Sequence, residues 1–179
     1  MRRNVGIYPE IKHPRWHHEH GIDLAKLLLE ALAAHGYDEA ESPAYVQCFD
    51  AAELRRVREA LGCRLNLVQL VGEEPEYAPL VTPEGLARVA RYADALGPSY
   101  KQLVAAQSFP LRRSAVAEAA KRAGLKLHPY TFRRDELPAY ATDFEQLLLA
   151  FFSDIEVDGL FCDQPDIAVQ VRDRVARGG

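Results

Sequence analysis

LNLVQLV, residues 65–71, is the stretch that decides the fold class. Apart from Asn66 and Gln69 every side chain in it is apolar, so neither face of such a strand suits water. A short run buried on both faces fits a parallel sheet with helices packed over it. On either side the same two periods alternate. Upstream, residues 44–49 read as a strand, Asp50 caps a helix with Glu53 in the capping-box position, and Leu54, Val57 and Leu61 repeat at helical spacing until Gly62. Further upstream a strand over 5–11 leads through a His- and Pro-rich loop into a helix over 22–35, stopped by Gly36. Downstream, a polar loop over 72–81 gives way at Thr82-Pro83 to a short helix, with proline in its first turn. Strands follow at 93–97, 125–130 and 159–162, and helices at 112–123, at 144–151 behind a Thr142/Glu145 capping box, and at 165–175.

Six βα units in regular succession predict an α/β fold with a parallel sheet. Periodicity leaves two forms open, a doubly wound open sheet and part of a (β/α)8 barrel. The chain has no GxGxxG and no Walker sequence, which weighs against the nucleotide-binding doubly wound folds. Its 179 residues are 48% hydrophobic and 27% charged, with a net charge of -4, so nothing in the bulk composition favours a nucleic-acid or anionic-membrane partner. Cys48, Cys63 and Cys162 are an odd number without metal-like spacing and read as free thiols. No run approaches a membrane span, and no stretch after Met1 has the apolar core of a signal peptide.

In parallel α/β folds ligands gather at the C-terminal ends of the strands. The first strand ends PEIK, where Glu10 and Lys12 share a parity and point the same way. That pair suits a hard divalent cation and a phosphate oxygen, or equally an ion pair closing the strand end. Gln47 and Gln69 stand late in apolar strands and require partners, from the protein, water or a ligand. The run HPYTFR, residues 128–133, offers an aromatic wall and a cation, or simply structure. Asp163 reads as the cap of the last helix, or as a residue facing the pocket. His13, His17, His18 and His20 invite a zinc reading, but their spacing matches no HExxH motif and favours surface or supporting histidines.

With these strand ends in view, six segments resemble the GlpQ-like branch of the glycerophosphodiester phosphodiesterase family. They are GIYPEIKHPRWHH (6–18), YVQCFDAAELRRVR (45–58), LNLVQLV (65–71), RYADALGPSY (91–100), LHPYTFRRDELPAY (127–140) and VDGLFCDQPDIAV (157–169), in the family's order. The resemblance implies a (β/α)8 barrel that hydrolyses glycerophosphodiesters to glycerol 3-phosphate and an alcohol with Ca²⁺ or Mg²⁺. It makes Glu10 one of three acidic metal ligands and Lys12 a lysine near the phosphate. Gln47, Gln69, Tyr130, Phe132 and Phe161 fall where the family lines its pocket. The family's opening His-Arg-Gly, Glu-x-Asp and His-Asp segments, with both proton-transfer histidines, do not occur in the chain. The expectation is therefore a resemblance to the C-terminal two-thirds only, an incomplete barrel of family strands three to eight with the first two missing. No residue is assigned a catalytic role, and activity is expected to be absent or weak. The partners expected are a glycerophosphodiester or phosphate-like small molecule, with a homodimer or a missing N-terminal portion closing the sheet. The alternative is a non-catalytic phosphoester-binding or interaction protein on the same scaffold. As written the chain would be cytoplasmic; a signal peptide on an upstream portion would make it periplasmic.

Overall fold

A computed structural model describes residues 6–178. The chain divides into two compact units, Met1–Leu70 with Arg88–Ala95, and Val71–Ala87 with Leu96–Gly179. Each alternates strand and helix as the sequence predicts.

In the first unit, α1 (Pro14–Glu19) and α2 (Leu24–Ala34) precede β1 (Tyr45–Cys48), α3 (Ala51–Glu59) and β2 (Asn66–Val71), the last strand ending at the unit boundary. β1 and β2 pair in parallel with Gln47 opposite Val68. The strand expected over 5–11 is represented by parallel bridges from Ile7 to Ala44 and Glu10 to Gln47; Val5 lies outside the described residues. Pro9 within that stretch can accept but not donate in a ladder, which fits its being broken. Gln47 N donates to the Pro9 carbonyl at 3.0 Å, and Ile11 N to the Gln47 carbonyl at 2.9 Å. Helix starts follow local chemistry. Asp23 accepts from Lys26 N, and Asp50 accepts from Ala52 N and Glu53 N, satisfying N–H groups that the first turn leaves unpaired. Val46, Leu54, Val57, Leu65 and Leu67 form a fully or nearly fully buried core.

From Val71 the second unit runs through a 3₁₀ turn (Pro75–Leu80) and most of α4 (Pro83–Val89), whose last two residues belong to the first unit. β3 (Ala95–Pro98), α5 (Ala115–Arg122), β4 (Lys126–Leu127), α6 (Phe144–Ala150) and α7 (Pro165–Ala176) follow. Within the second unit His128 N donates to the Leu96 carbonyl and Tyr130 N to the Pro98 carbonyl. The expected last strand at 159–162 appears as one parallel bridge, Phe132 to Cys162, flanked by Phe161 N to the Pro129 carbonyl at 2.9 Å. The strands expected from sequence are therefore longer than those formed: among the described residues the ladder is continuous enough for four strands, with isolated bridges in the remaining places. Two expected caps also move by one residue. Asp143, not Thr142, accepts from Gln146 N at 2.7 Å, a carboxylate being the stronger acceptor. Gln164, not Asp163, occupies the position before α7, and Asp163 instead accepts from Arg133 Nε at 2.9 Å. Phe132, Leu127, Leu147, Leu148 and Phe151 carry the second core, with the Phe132 and Phe151 rings edge to face at 4.7 Å.

Candidate functional site

Polar side chains collect at the strand ends of each unit. In the first, the Glu10 backbone pairs with that of Gln47 in a parallel bridge, and the Lys12 ammonium stands 3.5 Å from the Glu10 carboxylate. Lys12 is exposed and Glu10 half-buried, so the pair is open to an incoming anion or cation. Gln47 is buried and donates through Nε2 to the Tyr8 carbonyl at 3.3 Å, tying the two segments together below Glu10. Gln69 is fully buried, and its amide is committed to the protein. Nε2 donates to the Phe49 and Leu70 carbonyls at 3.0 and 2.9 Å, while Oε1 accepts from the Tyr92 hydroxyl at 2.8 Å. Burial pushes the Tyr92 hydroxyl up to about 12, which keeps it a donor to Gln69. The Cys48 thiol donates to the Ile11 carbonyl at 3.1 Å, and burial drives it up to about 12, so it is an inert thiol.

Beside this strand end lies a network that the sequence does not single out. Arg56 donates to Asp23 at 2.7 Å and 3.1 Å, and to Glu53 at 2.8 Å and 3.0 Å. His18 approaches Glu53 at 3.5 Å. The Arg56 hydrogen bond holds the Asp23 carboxyl below its usual range, and Glu53 and Asp23 together raise Arg56. His18, Asp23 and Glu53 each offer a ligand atom, all within 4.8 Å of one another, and so form a potential divalent-cation triad. The Arg56 guanidinium already supplies the positive charge there. A mixed imidazole and carboxylate set also departs from the all-oxygen shell that Ca²⁺ and Mg²⁺ prefer. The signal available in sequence was slight: Glu53 and Arg56 share a helix face three residues apart, while Asp23 and His18 come from a different helix pair. Asp50 makes a second tie. Burial opposes its ionisation, but the Arg15 hydrogen bond at 2.7 Å and two helix N–H groups outweigh that and keep the carboxyl low.

In the second unit Tyr130 donates its hydroxyl to the Val71 carbonyl at 2.9 Å. Phe132 is wholly buried, its ring 5.1 Å from that of Tyr100, and is a core residue. Phe161 is half-buried, and its carbonyl accepts from Phe132 N at 2.8 Å. Arg133, the cation expected at this strand end, is taken by Asp163 and by Glu136 at 2.8 Å. His128 is buried, and desolvation pushes its imidazole down to about 4, so it is neutral near pH 7.

These features define a parallel α/β protein with its polar and titratable groups gathered at strand ends. The glycerophosphoryl diester phosphodiesterase family model matches residues 1–167, and the chain belongs to that family. It is 34% identical to the glycerophosphodiester phosphodiesterase of Haemophilus influenzae, over 94% of this chain and 52% of that protein. It is 29% identical to that of Treponema pallidum, over 98% and 56% respectively. Among solved structures it resembles the glycerophosphodiester phosphodiesterase from Agrobacterium tumefaciens str. C58, with a TM-score of 0.59 at 18% identity over 94% of this chain and 56% of that one. A protein of Silicibacter pomeroyi DSS-3 gives a TM-score of 0.67 at 17% identity, over 95% and 51%. The fold is thus an α/β fold related to the family's barrel. The expected restriction to the C-terminal two-thirds of the family domain is corrected by the match over residues 1–167 of 179, nearly the whole chain. That restriction rested on family segments not found in the chain. The chain spans about half the length of the curated relatives it matches. No described helix is long and apolar enough to cross a membrane.

Proposed function

We propose that the chain acts on glycerophosphodiesters as a weak, metal-dependent hydrolase yielding glycerol 3-phosphate and an alcohol. The observation that carries this reading is the Glu10–Lys12 pair, at 3.5 Å, open at the end of the first parallel segment. Lys12 would contact a phosphate oxygen and Glu10 a divalent cation, with Gln47, Gln69, Tyr130, Phe132 and Phe161 supporting or lining their own units' strand ends. Gln69 and Phe132 do so from the interior, by holding backbone and packing rather than by touching substrate. Glu10 alone supplies too few oxygens for Ca²⁺ or Mg²⁺, so waters and phosphate oxygens would have to complete the shell. Acid–base help is also scarce. His18 lies against Glu53, His20 and His35 bond carbonyls of their own helices, and His128 is buried and neutral. Positioned proton transfer contributes about 10²- to 10⁴-fold, so turnover is slow where these histidines are so engaged.

Those same commitments favour a second reading, a phosphoester-binding protein without turnover that self-associates as a homodimer. Hydrolysis of glycerophosphocholine with Ca²⁺ or Mg²⁺ and an EDTA control separates the two. Slow metal-dependent release of glycerol 3-phosphate, lost in Glu10→Gln, supports the first. Substrate binding without release, whatever the metal, sinks it and leaves the second.

A further inference from the structure

Within the second unit, α6, the π-helical turn Phe151–Ile155 that follows it and the last turn of α7 line a groove of about 530 Å³. That volume lies in the range of small-molecule sites. Leu149 and Val175 supply its apolar wall. Leu149 is 47% exposed while Leu147 and Leu148 beside it are buried, so its side chain serves the groove and not the core. The polar lining consists mostly of donors. Glu145 is the one carboxylate, and it already accepts from Arg174 Nη2. Arg177 has no ion-pair or hydrogen-bond partner for its side chain among the described residues, and neither do Gln146 and Ser153 for theirs. Two arginines against one glutamate leave the groove positive on a chain whose net charge is -4. Ser153 comes from the π turn, a rare form that concentrates at functional sites.

These features narrow the occupant by charge and polarity. A small inorganic anion would meet Arg177 but leave Leu149 and Val175 in water. An uncharged hydrocarbon would cover the apolar wall and leave the guanidinium without an acceptor, and a cationic amphiphile would be repelled by it. A molecule that joins one hydrocarbon chain to one carboxylate satisfies both parts, because the chain leaves water and the guanidinium fork takes the carboxylate in charge-assisted hydrogen bonds. We propose that this groove binds a fatty-acid monomer, with its chain along Leu149 and Val175 and its carboxylate on Arg177. The site lies wholly within the second unit and does not depend on the hydrolase reading.

The test is calorimetric titration of the full chain with dodecanoate below its micelle concentration, beside butanoate and dodecyltrimethylammonium. Dodecanoate binds as one equivalent. Butanoate binds at least tenfold more weakly, since each fully buried methylene is worth about a fourfold factor and butanoate lacks most of the chain. The ammonium amphiphile, of equal chain length and opposite charge, is also at least tenfold weaker. Arg177→Gln weakens dodecanoate by about tenfold, the scale of a charge-assisted hydrogen bond, and leaves butanoate and the ammonium compound little changed. Leu149→Glu abolishes dodecanoate binding while circular dichroism shows the fold unchanged, as expected at an exposed position. No saturable binding, equal binding of the ammonium compound or of butanoate, or dodecanoate binding untouched by both variants overturns the site. Sedimentation and flotation with phosphatidylglycerol vesicles cover the other occupants. Self-association or vesicle binding that Leu149→Glu removes, without binding of monomeric dodecanoate, makes the groove an interface between copies or a membrane contact and likewise overturns the proposal.

Discussion

Acidification from pH 7 to pH 5 destabilises this protein through His128. The imidazole is buried, and desolvation depresses it to about 4 from the ordinary 6.5. A group with a depressed basic pKa is protonated in the unfolded chain first. Its contribution to folding is therefore intact above about pH 6.5 and is lost as pH falls towards 4. With those two values, the unfolded state gains about 2 kcal/mol over the folded state between pH 7 and pH 5, and about 3 kcal/mol once both are protonated. The assay is urea unfolding at pH 7, 6 and 5, in the unsubstituted protein and in His128→Gln. Asp23 and Asp50, also held low, lose their contributions only below the ordinary carboxylate range, so they do not enter this window. Other histidines titrate in both proteins, and the difference between the two slopes isolates His128. Equal slopes would refute the reasoning, because His128 would then reach water or a proton-accepting partner in the folded state.

Two further outcomes follow from the first unit. Arg56→Ala leaves Glu53 buried with His18 beside it and costs about 2 kcal/mol, between the ranges for exposed and for buried pairs because Arg56 is partly exposed; thermal unfolding checks this, and an unchanged midpoint would show that Glu53 finds water. Tyr92→Phe removes the donor to Gln69 Oε1 and costs about 1–3 kcal/mol, read by the shift of the urea midpoint at constant slope; no shift would mean that the amide is satisfied elsewhere.

Sequence alone determined the order of elements, because strand and helix periods are local. LNLVQLV, the capping carboxylate Asp50 and the stops at Gly36, Gly62 and Gly124 need only their near neighbours to be read, and the three glycines indeed take positive φ. It also located the strand-end side chains, since parity in a strand places Glu10 beside Lys12. Tertiary structure decided what each of them does. Whether Gln69 meets a ligand or Tyr92 depends on a residue 23 positions away, and whether Asp163 caps a helix or holds Arg133 depends on one 30 positions away. The Arg56 network likewise joins residues 33 positions apart. Strand continuity was undecided for the same reason. A strand is completed by hydrogen bonds to another segment, so residues 7–11 and 159–162 can carry strand-like sequence and still form, among the described residues, isolated bridges rather than a ladder. Periodicity records which side a residue prefers; the partner it finds there is a property of the folded chain.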